Sequence, residues 1–280
     1  MKVTVIIPTY NEEETINKCL ESLCEQTYKK IEVIVVDDGS IDNTLSIVGD
    51  LRFKKYDLRI FEQKHKGPGE ARNLGATHAK GEILVFVDAD MTFERDFIEK
   101  LVAPIIRGNA SGTWSREEYV SNWENVWALC WNINEGWEER KRHPKNYPPT
   151  QKVFRALLKS EFDKVGGFEL GGYYTDDWSL SQKLGYEAVA APDAKFYHAN
   201  PSNLSEVFNH AHWVAKREYK LGILGATFAL FRASLPVSLV VGLVKSILNK
   251  TPHFLIFKIV YDFGIFIGIL EYRMTGRGAK

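Results

Sequence analysis

The feature that most constrains this chain is the alternation, over its first hundred residues, of short apolar runs with segments of helical pattern. The apolar runs are rich in valine and isoleucine and lie at residues 3–7, 31–36 and 83–87, with a weaker one at 59–61. Helical segments separate them, at residues 12–26, 42–48 and 69–79. Strands buried on both faces are continuously apolar, and helices connect such strands when they run parallel. The pattern therefore predicts an α/β fold with a mostly parallel central sheet flanked by helices.

Composition narrows the class of protein. The chain has 280 residues, and its 36 lysines and arginines balance its 36 aspartates and glutamates. A neutral chain lacks the positive excess of a nucleic-acid binder, so we expect no nucleic-acid partner. The cysteines (Cys19, Cys24 and Cys130) form no C-x-x-C pair, and the N-terminal apolar run is too short for a signal peptide. We therefore expect the protein on the cytoplasmic side of the membrane.

Polar clusters follow three of the predicted strands. They lie at residues 8–12, 37–40 and 88–90. In open parallel sheets, ligands bind beyond the carboxyl ends of the strands. We therefore expect the three clusters to converge on one crevice, where a ligand binds.

Asp88 and Asp90 give the strongest single chemical signal. They lie two residues apart, directly after the most apolar predicted strand. Alternate strand residues point the same way, so two carboxylates can reach one cation. Hard oxygen ligands suit Mg²⁺ or Mn²⁺, which bridge the phosphates of nucleotides. The pattern predicts a divalent metal site, and the alternative is a solvated turn with two surface acids.

Two further segments are candidates for nucleotide binding. Asp37 and Asp38 precede Gly39, and a carboxylate there can accept a hydrogen bond from a ribose hydroxyl or a base N–H. The alternative role is an Asx turn that caps the next helix. The run from Gly67 to Arg72 is close to G-x-G-x-x-G, but an arginine stands where the third glycine belongs. We therefore exclude a Rossmann dinucleotide site and expect Arg72 either to face a diphosphate or to lie on the surface.

Several sequence blocks stand in the order found in a known enzyme family. They are V-I-I-P-T-Y-N-E at residues 5–12, V-V-D-D-G-S at 35–40, A-R-N-x-G at 71–75, V-D-A-D at 87–90, G-G-F at 166–168 and T-D-D-W at 175–178. Each block alone is weak, whereas the ordered set is specific. The set resembles the family 2 glycosyltransferases, which have the GT-A fold and invert the anomeric centre, over roughly the first 200 residues.

The resemblance implies a role for each matching residue. The base pocket of a GDP- or UDP-sugar donor would be lined by Pro8, Thr9, Tyr10 and Glu12, with Asp38 on the base or ribose and Arg72 near the diphosphate. A Mn²⁺ or Mg²⁺ ion would be framed by Asp88 and Asp90. The catalytic base would be Asp177, with Asp176 and Trp178 beside it at the substrate, although acids also favour helix N-termini. His198 either completes the metal site, touches a phosphate or is structural.

The sequence becomes apolar after residue 221. Two stretches, 221–248 and 254–270, contain few charges, and Lys258 and Asp262 are spaced to neutralise each other on a helix. Neither stretch holds the roughly 18 uncharged residues of a free-standing membrane span. We expect a membrane-embedded or interfacial helical hairpin, and the alternative is a soluble arm that forms a homodimer.

These observations predict the organisation and function of the chain. Residues 1–220 would form the GT-A catalytic domain, with a nucleotide-sugar-binding half at 1–106 and an acceptor half at 107–220, and residues 221–280 would form the C-terminal apolar helical extension. The expected function is metal-dependent transfer of one sugar to a polyprenyl- or dolichyl-phosphate-linked acceptor, or another glycan acceptor, at the membrane. The alternatives are a transferase with a soluble acceptor and a membrane-tethered nucleotide-sugar-binding or scaffold subunit without turnover.

Overall fold

The computed structural model describes residues 1–50, 57–169, 176–276 and 278, with the backbone alone at residues 176 and 177. The chain divides into two compact units. The first unit contains Met1–Tyr119 and Asn146–His198, and the second contains Val120–Lys145 and Ala199–Lys280. The predicted boundaries at residues 106 and 220 divide the chain by function instead, and they stay predictions.

The first unit alternates strands and helices from its N-terminus, as the sequence predicted. Numbered along the whole chain, its elements are β1 (Val3–Thr9), α1 (Ile16–Cys24), β2 (Ile31–Asp37), α2 (Thr44–Asp50), β3 (Asp57–Glu62), α3 (Pro68–His78), β4 (Ile83–Phe86), β5 (Met91–Phe93), α4 (Phe97–Ile106), β6 (Gly112–Trp114), β7 (Glu118–Val120), β8 (Thr150–Gln151), β9 (Ala156–Leu158), α6 (Lys159–Lys164), α7 (Asp176–Leu184), β10 (Ala188–Ala190) and β11 (Phe196–His198). The second unit is helical. It contains α5 (Val126–Glu135), α8 (Leu204–Ala215), α9 (Gly222–Arg232), α10 (Leu235–Leu248) and α11 (His253–Thr275).

The first unit is built on a central sheet. Its strand order is β3-β2-β1-β4-β9-β6-β10-β8, and a smaller sheet has the order β5-β11-β7. The strands β1 to β4 pair in parallel, whereas β9 runs antiparallel to both of its neighbours. The parallel register aligns the ends of β1 and β2, where Thr9 lies opposite Asp37. The carboxyl ends of these strands therefore meet at one edge of the sheet.

Burial explains why this sequence forms this sheet. Every residue of β1, β2 and β4 is buried. Helix α1 packs against the sheet with its buried residues at helical spacing, namely Ile16, Cys19, Leu20 and Leu23. At about 25 cal/mol for each Å² of apolar surface removed from water, this burial is the main stabilising contribution to the unit. The predicted alternation of buried strands and helices is confirmed.

The sequence misplaced one strand and undercounted the C-terminal helices. The sequence V-F-R-A-L at residues 153–157 predicts a strand, but the strand begins later, as β9 (Ala156–Leu158). The described residues after 221 form three helices rather than the two of a hairpin, because α9 ends before Pro236, which occupies the first turn of α10. Proline fits the first turn of a helix but disrupts a helix interior. Helices α9 and α10 meet at an angle of 58°.

Polar contacts join the helices of the second unit. Lys258 Nζ donates a hydrogen bond to Asp262 Oδ1 at 2.8 Å, which confirms the pairing that their spacing predicted. The other carboxylate oxygen of Asp262 accepts a hydrogen bond from Ser238 Oγ at 2.6 Å, and this bond joins α10 to α11. Lys245 Nζ donates to the carbonyl of Ile133 at 3.0 Å. Lys258 and Asp262 are therefore paired with each other inside the unit, and Lys245 is hydrogen-bonded to its backbone.

Candidate active site

The end of β1 carries the predicted base-pocket residues. Pro8 and Thr9 are buried, and Thr9 Oγ1 has no hydrogen-bond partner among the described residues. Tyr10 is exposed, and its ring stacks on His65 with 4.1 Å between the ring centroids. Asn11, which has a positive φ of 56°, accepts a hydrogen bond from the N–H of Ile41. The ends of β1 and β2 are therefore tied together, and an aromatic pair lies beside them.

The two acids at the end of β2, Asp37 and Asp38, have different roles. Asp37 Oδ2 accepts hydrogen bonds from the N–H groups of Gly39 and Ser40, so Asp37 forms the turn that the sequence left as an alternative. The Asp38 carboxylate is buried and organises the loop before α3. It accepts hydrogen bonds from the N–H groups of Lys66 and Gly67 at 2.9 and 2.8 Å and from the Gln63 side chain at 2.6 Å, and it lies 2.9 Å from His65 Nδ1. Asp38 thus fixes the loop that carries His65, and its predicted contact with a base or ribose stays a prediction.

Asp88 forms a charge cluster with two arginines. Arg72 Nη2 donates to Asp88 Oδ1 at 2.8 Å, and Arg155 Nη1 donates to Asp88 Oδ2 at 3.1 Å. Burial alone would raise the pKa of Asp88, but Arg155 and Arg72 outweigh it and hold the pKa well below its usual range. Asp88 is therefore an ionised carboxylate, and both of its oxygens are bound to guanidinium groups.

Asp90 lies in a second polar chain with His198 and Glu118. Asp90 Oδ2 lies 2.8 Å from His198 Nε2, and His198 Nδ1 lies 3.1 Å from Glu118 Oε1. The antiparallel pairing of β5 and β11 sets this contact, since it places His198 opposite Met91, the residue after Asp90. The other oxygen of Asp90 is buried, with no hydrogen-bond partner in the described part of the chain. A carboxylate oxygen left this way is a candidate ligand atom.

Glu12 lies close enough to Asp88 and Asp90 for their charges to affect its pKa. Its carboxylate accepts a hydrogen bond from Thr15 Oγ1 at 2.5 Å. Burial raises the pKa of Glu12, and the negative charges of Asp90 and Asp88 raise it further. The end of β1 and the segment after β4 are thus electrostatically coupled, as the predicted convergence requires. A cation bound among these acids would relieve their mutual repulsion.

The arrangement fits a divalent cation only in part. Within the described ranges, no three His, Cys, Asp or Glu side chains are grouped so that they could hold a metal ion. Asp90 and His198 are nevertheless in contact, and the second oxygen of Asp90 has no partner. Oxygen and imidazole donors suit Mn²⁺, and Mg²⁺ and Mn²⁺ at nucleotide sites take further ligands from phosphates and water. The residues therefore fit a cation that is shared with a bound diphosphate.

The later sequence block lies at the start of a helix. Asp176 and Asp177 are the first residues of α7. The side chain of Asp177 lies outside the described atoms, so its role as the base stays a prediction. Trp178 is exposed, and Lys152 Nζ lies 5.3 Å from the centroid of its ring. Gly166 and Gly167, which follow α6, have φ values of 70° and 74°, a conformation that glycine adopts readily.

Three residues of the site were missed in the sequence. Arg155 neutralises Asp88, Glu118 contacts His198, and His65 stacks on Tyr10. None of them belongs to a block of the family resemblance. Arg155 is 67 residues from Asp88 along the chain, and Glu118 is 80 residues from His198, so only the folded sheet brings them together.

Comparison with known proteins assigns the chain to a family. The sequence profile of glycosyl transferase family 2 matches residues 4–170, which is more than half of the chain. The chain belongs to glycosyl transferase family 2. The prediction of a family 2 glycosyltransferase is thereby confirmed.

Curated relatives match the N-terminal part of this family member. Glycosyltransferase GlyA of Streptococcus pneumoniae is 39% identical over 109 residues, which make up 39% of this chain and 16% of the relative. The poly(ribitol-phosphate) beta-N-acetylglucosaminyltransferase TarS of Staphylococcus aureus is 44% identical over 104 residues, which make up 36% of this chain and 17% of the relative. The match therefore spans a small part of these longer proteins.

Solved structures share the fold along most of the chain. TarS 1–349 from S. aureus in complex with UDP aligns with a TM-score of 0.58 at 19% identity, over 99% of this chain and 92% of that one. Mannosyltransferase PcManGT from Pyrobaculum calidifontis in complex with GDP-Man and Mn²⁺ aligns with a TM-score of 0.61 at 22% identity, over 99% of this chain and 88% of that one. The predicted GT-A fold is confirmed.

Proposed function

We propose that this chain transfers one sugar from a nucleoside diphosphate sugar to an acceptor hydroxyl, with inversion and with a divalent cation. The proposal rests on one observation. A carboxylate bound to two arginines and a carboxylate–imidazole pair both lie at the ends of the strands. The first is Asp88 with Arg72 and Arg155, and the second is Asp90 with His198. A diphosphate leaving group needs cationic partners, and these residues supply both guanidinium groups and candidate cation ligands.

The guanidinium groups are already fixed in place before substrate binds. Arg72 and Arg155 each donate to a different oxygen of Asp88, so neither has to reorganise far to meet a phosphate. Preorganised charges stabilise a developing negative charge more strongly than mobile ones. When bound, Mn²⁺ or Mg²⁺ would neutralise diphosphate charge, and Asp90 and His198 would hold it. Glu118, which contacts the other ring nitrogen of His198, would fix the orientation of that imidazole.

The donor base is assigned to the aromatic pair at the end of β1. Tyr10 and His65 stack, and Asp38 holds the loop that carries the histidine. An exposed aromatic face next to an unpartnered Thr9 hydroxyl suits a nucleobase, which stacks and forms hydrogen bonds. The neighbours bound to UDP and to GDP-Man with Mn²⁺ support a uridine or guanosine donor.

Asp177 is proposed to be the base that removes the proton of the acceptor hydroxyl. A single displacement needs a base on the face opposite the leaving diphosphate. Asp177 is in the first turn of α7, and it matches the acid that ends the later block of the family resemblance. Asp176 and the exposed Trp178 would lie beside it and contact the acceptor.

The acceptor is proposed to be linked to a polyprenyl or dolichyl phosphate at the cytoplasmic leaflet of a membrane. Among the described residues, α11 is long and apolar enough to cross a membrane, and α9 with α10 passes the same test as a bent pair. Such a surface suits an enzyme whose acceptor is held in lipid. A soluble acceptor, or a homodimer through the same helices, is the competing proposal.

Donor binding tests the proposal. UDP- and GDP-sugars are titrated into the full chain with Mn²⁺ and with EDTA, and binding is followed by calorimetry. We expect metal-dependent binding of one of them by the wild type. Asp90→Ala should abolish donor binding in the presence of Mn²⁺, because the diphosphate charge would be left uncompensated. The matched control is Asp96→Ala, which removes a solvent-exposed acid that pairs with Lys100. Equal metal-dependent binding by Asp90→Ala and wild type would place the cation elsewhere.

A further inference from the structure

Helices α9 and α10 present large apolar side chains to the outside of the second unit. On α9, Leu224, Phe228 and Phe231 follow the i, i+4, i+7 spacing of one helical face, and all are more than 60% exposed. On α10, Val240, Val244 and Ile247 repeat that spacing and are also exposed. Large contiguous apolar surfaces of this kind mark interaction sites.

The pattern of burial on α10 is the opposite of the pattern on a helix that faces water. It buries Ser238, Gly242 and Ser246, which follow one another at intervals of four residues. Water-soluble helices bury their large apolar residues and expose their polar ones. In α10 the small and polar residues face the protein and the large apolar residues face outward. The surroundings of the outward face are therefore expected to be apolar.

The charge of the same segment points to an anionic partner. The sequence contains no aspartate or glutamate between Glu218 and Asp262. Lys220, Arg232 and Lys250 lie in this interval and are exposed. An apolar face bordered only by cations is the pattern of a helix that lies on an anionic lipid surface, where each cation near the surface adds to the binding.

Helix α11 is long enough to span a bilayer, but its neighbour argues against a span. Gly264 of α11 lies so close to α8 that an added Cβ would be 2.7 Å from the carbonyl oxygen of Phe208. The outer face of α8 exposes Glu206, Asn209 and His210. If α11 crossed the hydrocarbon, α8 would carry these polar groups into lipid, and such groups are costly there. Helix α11 is therefore expected to stay outside the hydrocarbon and support α10.

We propose that α9 and α10 lie in the plane of an anionic membrane, with their exposed apolar face among the acyl chains, and that α11 does not cross the bilayer. This inference rests on the proposed membrane association and specifies its geometry. Each of the two helices is too short to span about 30 Å of hydrocarbon at about 1.5 Å per residue, which favours a position in the interface.

Vesicle binding of the full chain tests the docking face. Purified protein is added to vesicles of phosphatidylcholine, with and without 30 mole per cent (roughly a third) phosphatidylglycerol, and bound protein is measured by flotation. We expect binding to the anionic vesicles. Val240→Glu should weaken it by roughly tenfold or more, since a buried valine contributes at least about that factor. The matched control, Val189→Glu, makes the same change at an exposed valine of the first unit and should leave binding unchanged.

The outcomes separate this inference from its rivals. If Val240→Glu binds vesicles as well as the wild type does, the proposed docking face is wrong. The proposal is also overturned if the wild type binds no vesicles and instead forms a dimer that Val240→Glu cannot form. Nucleotide-sugar binding is measured on the same variants in solution without vesicles. It should not change in Val240→Glu, so a failure of membrane docking can be told apart from a failure of the proposed transferase function.

Labelling tests whether α11 crosses the bilayer. His253→Cys and Thr275→Cys place a thiol at either end of α11, and the full chain is added from outside to sealed vesicles. A membrane-impermeant maleimide should label both thiols to the same extent as in detergent, above the background of the native cysteines. Protection of one end alone until the vesicles are opened would show a membrane span and overturn the proposal.

Discussion

Removal of the Asp88 charge should destabilise the fold as well as impair donor binding. Asp88→Asn keeps the shape of the side chain but leaves Arg72 and Arg155, which are 8% and 18% exposed, without their carboxylate. Breaking a fully buried ion pair costs about 3–5 kcal/mol. Asp88 itself is 33% exposed, and water screens part of the interaction, so we expect about 2 kcal/mol. For a chain of this size that corresponds to a fall in Tm of roughly 4–8 °C.

The pH dependence of this loss has a definite sign. The folded state holds the pKa of Asp88 below its unfolded value, so the ionised carboxylate stabilises the fold above the unfolded pKa of about 4. The difference between wild type and Asp88→Asn should be constant above about pH 5 and should shrink steadily as the pH falls below about 4. Urea unfolding, followed by circular dichroism at several pH values, measures the difference.

A surface ion pair provides the control for this experiment. Asp163 pairs with Lys159 at 2.7 Å but is 55% exposed, so Asp163→Asn should change the free energy of unfolding by less than about 0.5 kcal/mol. If Asp88→Asn is as stable as Asp163→Asn at neutral pH, or if its deficit does not shrink in acid, then the two arginines do not depend on the Asp88 charge and the reasoning is wrong.

Further predictions follow from the same site. Asp177→Asn should bind the donor as the wild type does, but its rate of transfer should fall by a factor on the order of 10² or more. If Asp177→Asn is active and Asp176→Asn is inactive, then Asp176 rather than Asp177 is the base. Tyr10→Ala should weaken donor binding by roughly tenfold through loss of stacking, as measured by calorimetry, whereas Tyr10→Phe should bind normally. Asp262→Ala should destabilise the second unit by about 2 kcal/mol, since Lys258 and Ser238 lose their shared partner, and thermal unfolding measures this.

The fold was largely predictable because local pattern and burial agree in the first hundred residues. The strands β1 and β2 are rich in valine and isoleucine, and the structure buries every one of their residues. Helix α1 was equally clear from its spacing. The failures have two causes. The start of β9 depends on pairing with two antiparallel neighbours, which the local sequence does not show. The break between α9 and α10 is marked by Pro236, a local signal that the apolar pattern of the segment outweighed in the prediction.

The site was predictable only as far as its strand ends. Asp88 and Asp90 stood out because they follow a buried strand, but the sequence did not separate their environments. Arg155 comes from a distant antiparallel strand region and neutralises the first, whereas His198 from β11 contacts the second. No periodicity links such residues. The convergence of polar clusters at one sheet edge could be anticipated, and their individual partners could not.

The most direct test of the central claim is turnover. The full chain is incubated with each nucleotide sugar, a polyprenyl phosphate-linked acceptor and Mn²⁺, and the released nucleoside diphosphate and the anomeric configuration of the product are measured. The proposal predicts release that requires both acceptor and cation, an inverted product, and loss of release in Asp90→Ala and Asp177→Asn. A product of retained configuration, or undiminished release in EDTA or in Asp90→Ala, would contradict it.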